Sequence, residues 1–100
     1  MGNNAISLDE VLVYRALLQN GRRWVTDRQL AQRIEGVTAR SIRAHCLKFV
    51  KLGLVEQPAI LPARRYRLSQ NASRDHPYVR RLEQAAEAFG LPAKSPSRSA

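Results

Sequence analysis

Three residues of the type that favours helix N-termini stand along the first half of the chain, and they constrain its fold most strongly. Ser7 precedes Glu10 by three residues, and Thr26 precedes Gln29 by the same spacing. This spacing is typical of a capping box, in which two side chains satisfy the free backbone N–H groups of a helix start. Thr38 is the third candidate N-cap. Apolar residues at helical spacing follow each of them, so the pattern predicts three helices.

Each predicted helix has an apolar side and a stop signal. The first ends at Asn20-Gly21, the second is short, roughly ten residues, and ends at Gly36, and the third runs from Thr38 to Leu52. The residues predicted to face the core are Val11, Tyr14, Leu17 and Leu18, then Leu30, Ala31 and Ile34, and finally Ile42, Cys46, Phe49 and Gly53.

After Gly53 the pattern becomes extended. Residues 54–57 and 65–68 are predicted as two short strands of a hairpin whose loop contains Pro58 and Pro62, and Trp24-Val25 is a candidate third strand. A last helix is predicted behind Asp75 or His76 as its cap, with Pro77 in the first turn and Gly90-Leu91 at its end. Its predicted apolar stripe is Tyr78, Leu82, Ala85 and Phe89.

These elements predict a mainly α fold with a small β-hairpin, made of a three-helix core plus a C-terminal helix. A chain of 100 residues favours one domain with one modest core. We expect a flexible N-terminus at 1–6, a folded domain at 7–69, a linker and C-terminal helix at 70–91, and a disordered tail at 92–100.

The charge of the chain indicates a polyanionic partner. Seventeen basic and eight acidic residues give a formal charge of +9, and most of the bases are arginine, whose planar group suits phosphate and base edges. The stretch from Val37 to Leu68 holds seven bases and only one acid, so it supplies six of the nine surplus charges. The surplus therefore lies on the third helix and the hairpin.

Several function classes lack support in the sequence. No apolar run approaches the roughly 18 residues of a membrane span, and no secretory signal is visible, so we expect a cytoplasmic protein. The single Cys46 excludes an internal disulfide, and its place on an inner stripe favours a buried structural thiol. No catalytic triad, phosphate-binding Gly-rich loop or paired-carboxylate motif is present, and His76 has no cysteine cluster near it. We therefore expect no enzyme, no metal and no cofactor.

Two short helices joined by a Gly turn, the second one basic and followed by a hairpin, resemble the winged helix–turn–helix family of bacterial regulators, of the MarR-, ArsR- and PadR-like kind. The matching stretches are 25–34 for the bracing helix, 38–45 for the start of the recognition helix, 49–55 for the passage into the wing, and 65–68 for the returning wing strand. The resemblance implies a winged helix with its recognition helix 38–52 in the major groove and its wing 54–68 on the backbone or in the minor groove.

The predicted DNA contacts follow from this placement. Arg40 and Arg43 lie in the first two turns of the recognition helix, where a bidentate contact with guanine gives about 1–3 kcal/mol of discrimination. Small neighbours allow close approach, and Leu47 projects from the same basic face, where it contacts DNA methyl groups or is merely solvated. The full set is Thr38, Ala39, Arg40, Ser41, Arg43, Ala44, Lys48 and Lys51 on the helix, Arg64, Arg65 and Arg67 on the wing, and Arg22 and Arg23 in the loop before the bracing helix.

Surplus apolar residues on the first and last helices predict a homodimer. Its predicted interface is Leu8, Leu12, Tyr78, Leu82, Ala85 and Phe89. The alternative is that the last helix packs on the first helix of the same chain. A dimer with two recognition helices about one DNA turn apart predicts an inverted-repeat site.

The sequence thus predicts a sequence-specific protein for double-stranded DNA, acting in the cytoplasm, on the nucleoid, as a homodimeric transcriptional repressor. A plasmid- or phage-type replication or partition protein would use the same surface. The alternative from another class is a winged-helix module that binds a protein. Recognition of duplex RNA is disfavoured because its A-form major groove excludes a helix.

Overall fold

A computed structural model describes residues 5–59 and 64–91 of the chain. These ranges form a small mixed α/β domain, which confirms the prediction of a helical fold with a small antiparallel sheet. Its elements in order are α1 (Leu8–Asn20), β1 (Val25–Thr26), α2 (Asp27–Arg33), α3 (Ala39–Lys51), β2 (Val55–Glu56), β3 (Arg65–Leu68) and α4 (Pro77–Ala88). The predicted tail at 92–100 and most of the predicted N-terminal segment lie outside the described residues, and Ile6 packs against the core.

The three predicted N-caps are confirmed. The side-chain oxygens of Ser7 and Thr38 each accept a hydrogen bond from the backbone N–H three residues on, at 3.2 and 3.1 Å. Thr26 does the same at 3.0 Å, and the Gln29 side chain accepts the Thr26 N–H at 2.9 Å in return. A full capping box therefore forms at α2, whereas the carboxylate of Glu10 at the start of α1 has other partners, described below.

Helix α2 is shorter than predicted, because it ends at Arg33 rather than at Gly36. Ile34 leaves the helix with extended backbone, φ −116° and ψ 110°. This turn directs both Ile34 and Val37 into the core, where each is buried. Burial of two apolar side chains on either side of the turn outweighs another turn of helix.

The predicted stops of α3 and α4 are confirmed as glycine-terminated helix ends. Gly53 and Gly90 have φ values of 79° and 77°, the left-handed region in which a Cβ is costly. The following residues close the motif, since the Leu54 N–H donates to the Phe49 carbonyl at 2.9 Å and the Leu91 N–H donates to the Ala86 carbonyl at 3.0 Å.

The three strands form one antiparallel sheet in the order β1-β3-β2. Val25 pairs with Tyr66, and Val55 pairs with Leu68, so β3 lies in the middle. The candidate third strand is confirmed one residue further along than predicted. Because side chains alternate across a strand, Tyr66 is buried while its neighbour Arg65 is exposed.

The core is built around α1, which packs against α2, α3 and α4. Val13 and Ala16 are buried in addition to the predicted stripe, because helices cover α1 on more than one side. The aromatic rings of Tyr14 and Phe49 meet edge to face, with centroids 5.9 Å apart. The buried apolar residues are Val11, Val13, Tyr14, Ala16, Leu17, Val25, Leu30, Ile34, Val37, Ile42, Cys46, Phe49, Leu54, Val55, Tyr66, Tyr78, Val79, Leu82 and Ala86.

His76 is the N-cap of α4 and fastens it to the end of α3. Its Nδ1 accepts a hydrogen bond from the Tyr78 N–H at 3.1 Å. The other ring nitrogen therefore carries the proton, and Nε2 donates to the Leu52 carbonyl at 3.3 Å. Of the two predicted caps, the structure selects His76 over Asp75.

The buried side of α4 differs from the predicted stripe. Tyr78 and Leu82 are buried against the core of their own chain, together with Val79 and Ala86. Their prediction as dimer contacts is not supported, because α4 packs on α1 of the same chain and buries both side chains. Phe89, placed in the stripe by spacing, is 45% exposed.

The other predicted interface residues divide between the core and the surface. Leu12 and Ala85 are partly buried and pack against the core. Leu8 at the start of α1 is 41% exposed. Leu8 and Phe89 are thus the predicted interface residues whose large apolar side chains reach the surface.

Candidate nucleic-acid interface

The outer side of α3 forms a ridge of four exposed residues, Arg40, Ala44, Leu47 and Lys51. They stand at i, i+4, i+7 and i+11, the spacing that keeps side chains on one helix face. Arg43 is exposed beside them. The helix contains no acidic residue, and its opposite side is buried through Ile42, Cys46 and Phe49.

The small residues at the start of α3 leave this ridge open at its N-terminal end. Thr38 is exposed, and its hydroxyl caps the helix. Ala39 and Ser41 are half-buried and lie to the sides of the ridge. Arg40 is therefore flanked by small side chains at positions 38, 39 and 41.

Lys48 has a different environment from the other cations of α3. Its ammonium lies 3.2 Å from both carboxylate oxygens of Glu10 and 5.2 Å above the ring of Tyr78. The hydrogen bond with the Tyr78 hydroxyl, and after it the Glu10 carboxylate, raises the pKa of Lys48. The prediction of Lys48 as a phosphate contact is not supported, because the structure directs this cation to α1 and α4.

We call Glu10, Lys48 and Tyr78 the Glu10 cluster. Glu10 is only 4% exposed and accepts hydrogen bonds from the Tyr78 hydroxyl and the Lys48 ammonium. Burial, followed by the hydrogen bond to Glu10, raises the pKa of Tyr78 and keeps its hydroxyl a donor. The cluster joins α1, α3 and α4 around one buried charge.

Sequence reasoning missed this cluster because its members lie 38 and 68 positions apart. The spacing behind Ser7 predicts a helix-capping role for Glu10. The signal that was present is its position four residues before Tyr14 and seven before Leu17, which places the carboxylate on the buried side of α1.

The segment predicted as the wing contributes two exposed arginines and one arginine that has an acidic partner. Arg64 and Arg65 are exposed. The Nε of Arg67 donates to Glu56 Oε1 at 2.9 Å, and its guanidinium lies 4.2 Å over the ring of Trp24. Arg67 therefore holds strands β2 and β3 and the start of β1 together, rather than projecting as a free cation.

Arg22 and Arg23 are both exposed in the loop between α1 and β1. The side chain of Asn20 holds this loop, because its amide donates to the Arg23 carbonyl at 2.8 Å and its oxygen accepts from Arg33 at 2.9 Å. The two side chains are thus presented by a backbone that is fastened to α2.

The exposed cations of α3 and of residues 64–65 form one set, which we call the basic face: Arg40, Arg43, Lys51, Arg64 and Arg65. Within the described part of the chain, none of the five has an acidic side chain at ion-pair distance, whereas Lys48 and Arg67 do. The single acid in the stretch 37–68 is Glu56, which Arg67 neutralises. The basic face therefore carries five uncompensated positive charges.

The described residues give weaker support to a reactive thiol, a metal site or a membrane-spanning helix. Burial, and after it the charge of Asp27, raises the pKa of the Cys46 thiol to about 12, so it is neither nucleophile nor ligand near neutral pH. Residues 5–59 and 64–91 contain no group of three His, Cys, Asp or Glu side chains that could hold a metal ion. Over the same ranges, no helix is long and apolar enough to cross a membrane.

A groove of about 320 Å³ lies between α1 and α4. Its apolar lining includes Val11, Leu18 and Leu82, and Tyr14 contributes its ring. Burial, and after it the charge of Glu83, raises the pKa of Tyr14 to about 12. The charged residues Arg15, Arg74, Glu83 and Glu87 also line the groove, and none of its lining residues belongs to the basic face.

Comparison with protein-family models, curated proteins and solved structures finds no match to this chain.

Proposed function

We propose that this chain is a winged helix–turn–helix protein that binds double-stranded DNA in a sequence-specific manner and acts as a homodimeric transcriptional repressor. The order helix, strand, helix, helix, strand, strand is that of the winged fold. Helices α2 and α3 pack directly on each other and are joined by residues 34–38. This supports α2 as the bracing helix and α3 as the recognition helix.

The dimensions of α3 suit the major groove. Its 13 residues make a helix about 20 Å long, and the major groove of B-DNA is about 12 Å wide and admits a helix. Arg40 and Arg43 occupy the N-terminal half, where side chains of a recognition helix reach base edges. Lys51 at the C-terminal end suits a phosphate contact.

The wing and the loop before β1 supply backbone contacts in this proposal. Arg64 and Arg65 lie on the wing, where they suit phosphate or a narrow minor groove. Arg22 and Arg23 suit phosphate contacts, because they are exposed on a fastened loop. These contacts position the protein and carry no sequence information directly.

The observation that carries the proposal is the division of the cations of α3 and β3 into those with and those without an acidic partner. Lys48 and Arg67 are neutralised by carboxylates, while the five cations of the basic face are exposed and have no acid at ion-pair distance. A surface that was merely solvated would place acids among its bases. Five cations without an ion-pair partner, on α3 and at the start of β3, favour a polyanion.

Salt-dependent binding of duplex DNA tests the proposal. Five phosphate contacts per copy predict that the logarithm of the association constant falls with the logarithm of salt concentration, with a slope of about −4 to −5 per copy. A site selected from a random duplex pool provides the probe, and fluorescence anisotropy measures affinity. The replacements Arg40→Ala and Arg43→Ala together should abolish the preference for the selected site.

Arg80→Ala is the matched control, because it removes one exposed positive charge from α4. It should retain site preference and nearly all affinity. Absence of duplex binding, or a double variant that still prefers the selected site, would contradict the proposal.

The homodimer in the proposal rests on Leu8 and Phe89, which are 41% and 45% exposed at the start of α1 and the end of α4. Exposed apolar side chains of this size lower the free energy of association when buried. Light scattering should give twice the chain mass of 11.3 kDa, and Phe89→Ser should shift the protein toward the single-chain mass. A single-chain mass for the unchanged protein at high micromolar concentration would exclude the dimer.

A further inference from the structure

We infer that Leu47, together with Ala44, reads the 5-methyl group of thymine in the DNA site; this inference rests on the proposed function and names what the site prefers. Among the described residues, three large apolar side chains are exposed: Leu8, Leu47 and Phe89. Leu47 differs from the other two because it lies on the basic face, 38% exposed, in the middle of α3.

The position of Leu47 points to DNA as its partner. Along the α3 ridge, the apolar pair Ala44 and Leu47 has Arg40 before it and Lys51 after it, with Arg43 at its side. An apolar protein surface docking here would have to leave these cations unpaired or meet them with its own acids. A nucleic acid meets all of them at once, because its phosphates lie on both sides of the groove that takes the helix.

The chemistry of the DNA major groove indicates one chemical group as the partner of Leu47. The floor of the major groove presents hydrogen-bonding atoms on every base pair, and the methyl group of thymine is its characteristic apolar group. Leu47 has no donor or acceptor, so it gains nothing from the other base edges. Contact with a thymine methyl removes apolar surface from water on both partners.

The spacing along α3 predicts where this methyl lies. Arg40 and Leu47 are seven residues apart, which is about 10 Å along the helix axis, and base pairs are stacked about 3.4 Å apart. Because a helix in the major groove is inclined to the DNA axis, a thymine read by Leu47 lies within about three base pairs of a guanine read by Arg40. Ala44 lies between them and suits a second methyl at shorter reach.

Replacement of thymine by uracil tests the inference, because uracil lacks only the 5-methyl group. Each thymine of a selected site is replaced singly by deoxyuridine, and duplex affinity is measured by anisotropy at fixed salt. We expect one or two positions per half-site where the affinity of the unchanged protein falls about fourfold per methyl. Leu47→Ala should lose this sensitivity at one position while it keeps the preference for the guanine.

Gln84→Ala is the matched control, because it truncates an exposed side chain of similar size on α4, away from α3 and from the residues of the proposed dimer. It should retain the full uracil effect, and thermal unfolding should show both variants folded. Selective binding that no uracil replacement changes by more than twofold, or a Leu47→Ala variant with an unaltered uracil profile, overturns the inference and leaves the proposed function standing. Loss of selective duplex binding by the unchanged protein overturns both.

Discussion

Removal of the charge at Glu10 tests how α3 is held against α1 and α4. Glu10→Gln keeps the shape of the side chain and an oxygen that can accept from the Tyr78 hydroxyl. It removes the charge that pairs with Lys48. Lys48→Met is the complementary change, because it leaves the buried carboxylate with Tyr78 as its remaining partner in the Glu10 cluster.

The magnitude follows from the exposure of each partner. A hydrogen bond to a charged group contributes about 1.5–3 kcal/mol and a neutral one about 0.5–1.5, so weakening the Tyr78 bond costs about 1 kcal/mol. Lys48 is 49% exposed, so its pair with Glu10 is screened by solvent and contributes about 0.5–1 kcal/mol. Glu10→Gln should therefore lower the free energy of unfolding by about 1–2 kcal/mol, or roughly 10 °C in Tm for a domain of this size.

Urea and thermal unfolding at pH 7, followed by circular dichroism, measure these effects. Lys48→Met should cost about 1 kcal/mol or more, because an incompletely paired carboxylate stays buried. The double variant should cost less than the sum of the single ones. Lys51→Met is the control: it removes the same charge one turn further along α3, and its exposed position predicts a change within about 0.5 kcal/mol.

In DNA binding the order of the two lysines should be reversed, with Lys51 contributing more than Lys48. Lys51→Met should reduce the salt slope by about 1, whereas Lys48→Met should leave the slope unchanged. Equal effects of the two lysine variants on unfolding, or no effect of Glu10→Gln, would refute the structural role given to the Glu10 cluster.

Two further outcomes follow from buried and paired groups. Burial raises the pKa of Cys46 from 9.0 to about 12, so the stability held by the protonated thiol is complete below pH 9 and is lost as pH rises toward 12. Urea unfolding from pH 8 to 11 should therefore show that the free energy of unfolding falls more steeply with pH for the unchanged protein than for Cys46→Ala. The difference should reach roughly 4 kcal/mol between pH 9 and 12. Parallel curves for the two proteins would contradict the role given to the buried thiol. Arg67→Ala should lower the free energy of unfolding by about 1 kcal/mol, because it loses its contacts with Glu56 and Trp24. Arg65→Ala should leave unfolding unchanged and weaken DNA binding. The reverse pattern would contradict the roles assigned to these two arginines.

The helix boundaries could be predicted where the interaction that sets them is local. Ser7, Thr26 and Thr38 cap helices through bonds that span three residues, and Gly53 and Gly90 end helices through bonds that span five. Such contacts need no other helix or strand, so they can be predicted from neighbouring residues in the sequence. The end of α2 escaped prediction because it depends on the burial of Ile34 and Val37 by the rest of the core.

The basic face could be predicted in part for the same reason. Helical spacing alone places Arg40, Arg43 and Lys51 opposite the buried stripe of α3, and all three are exposed as expected. Spacing assigned Lys48 to the same face. Its ammonium is instead held by Glu10, because a cation at the side of a helix moves toward a buried carboxylate whenever folding brings one near.

Local chemistry in the sequence thus specifies the helices, their caps and the surplus of positive charge on α3 and β3. Tertiary packing alone decides which of those charges remain uncompensated and which apolar residues stay on the surface. Tyr78 illustrates the difference: its spacing marks it as apolar-facing, but only the approach of α4 to α1 turns it into a partner of Glu10 rather than a dimer contact. The reason is distance along the chain, since contacts across tens of residues form when secondary structures pack and leave no periodic trace in the sequence.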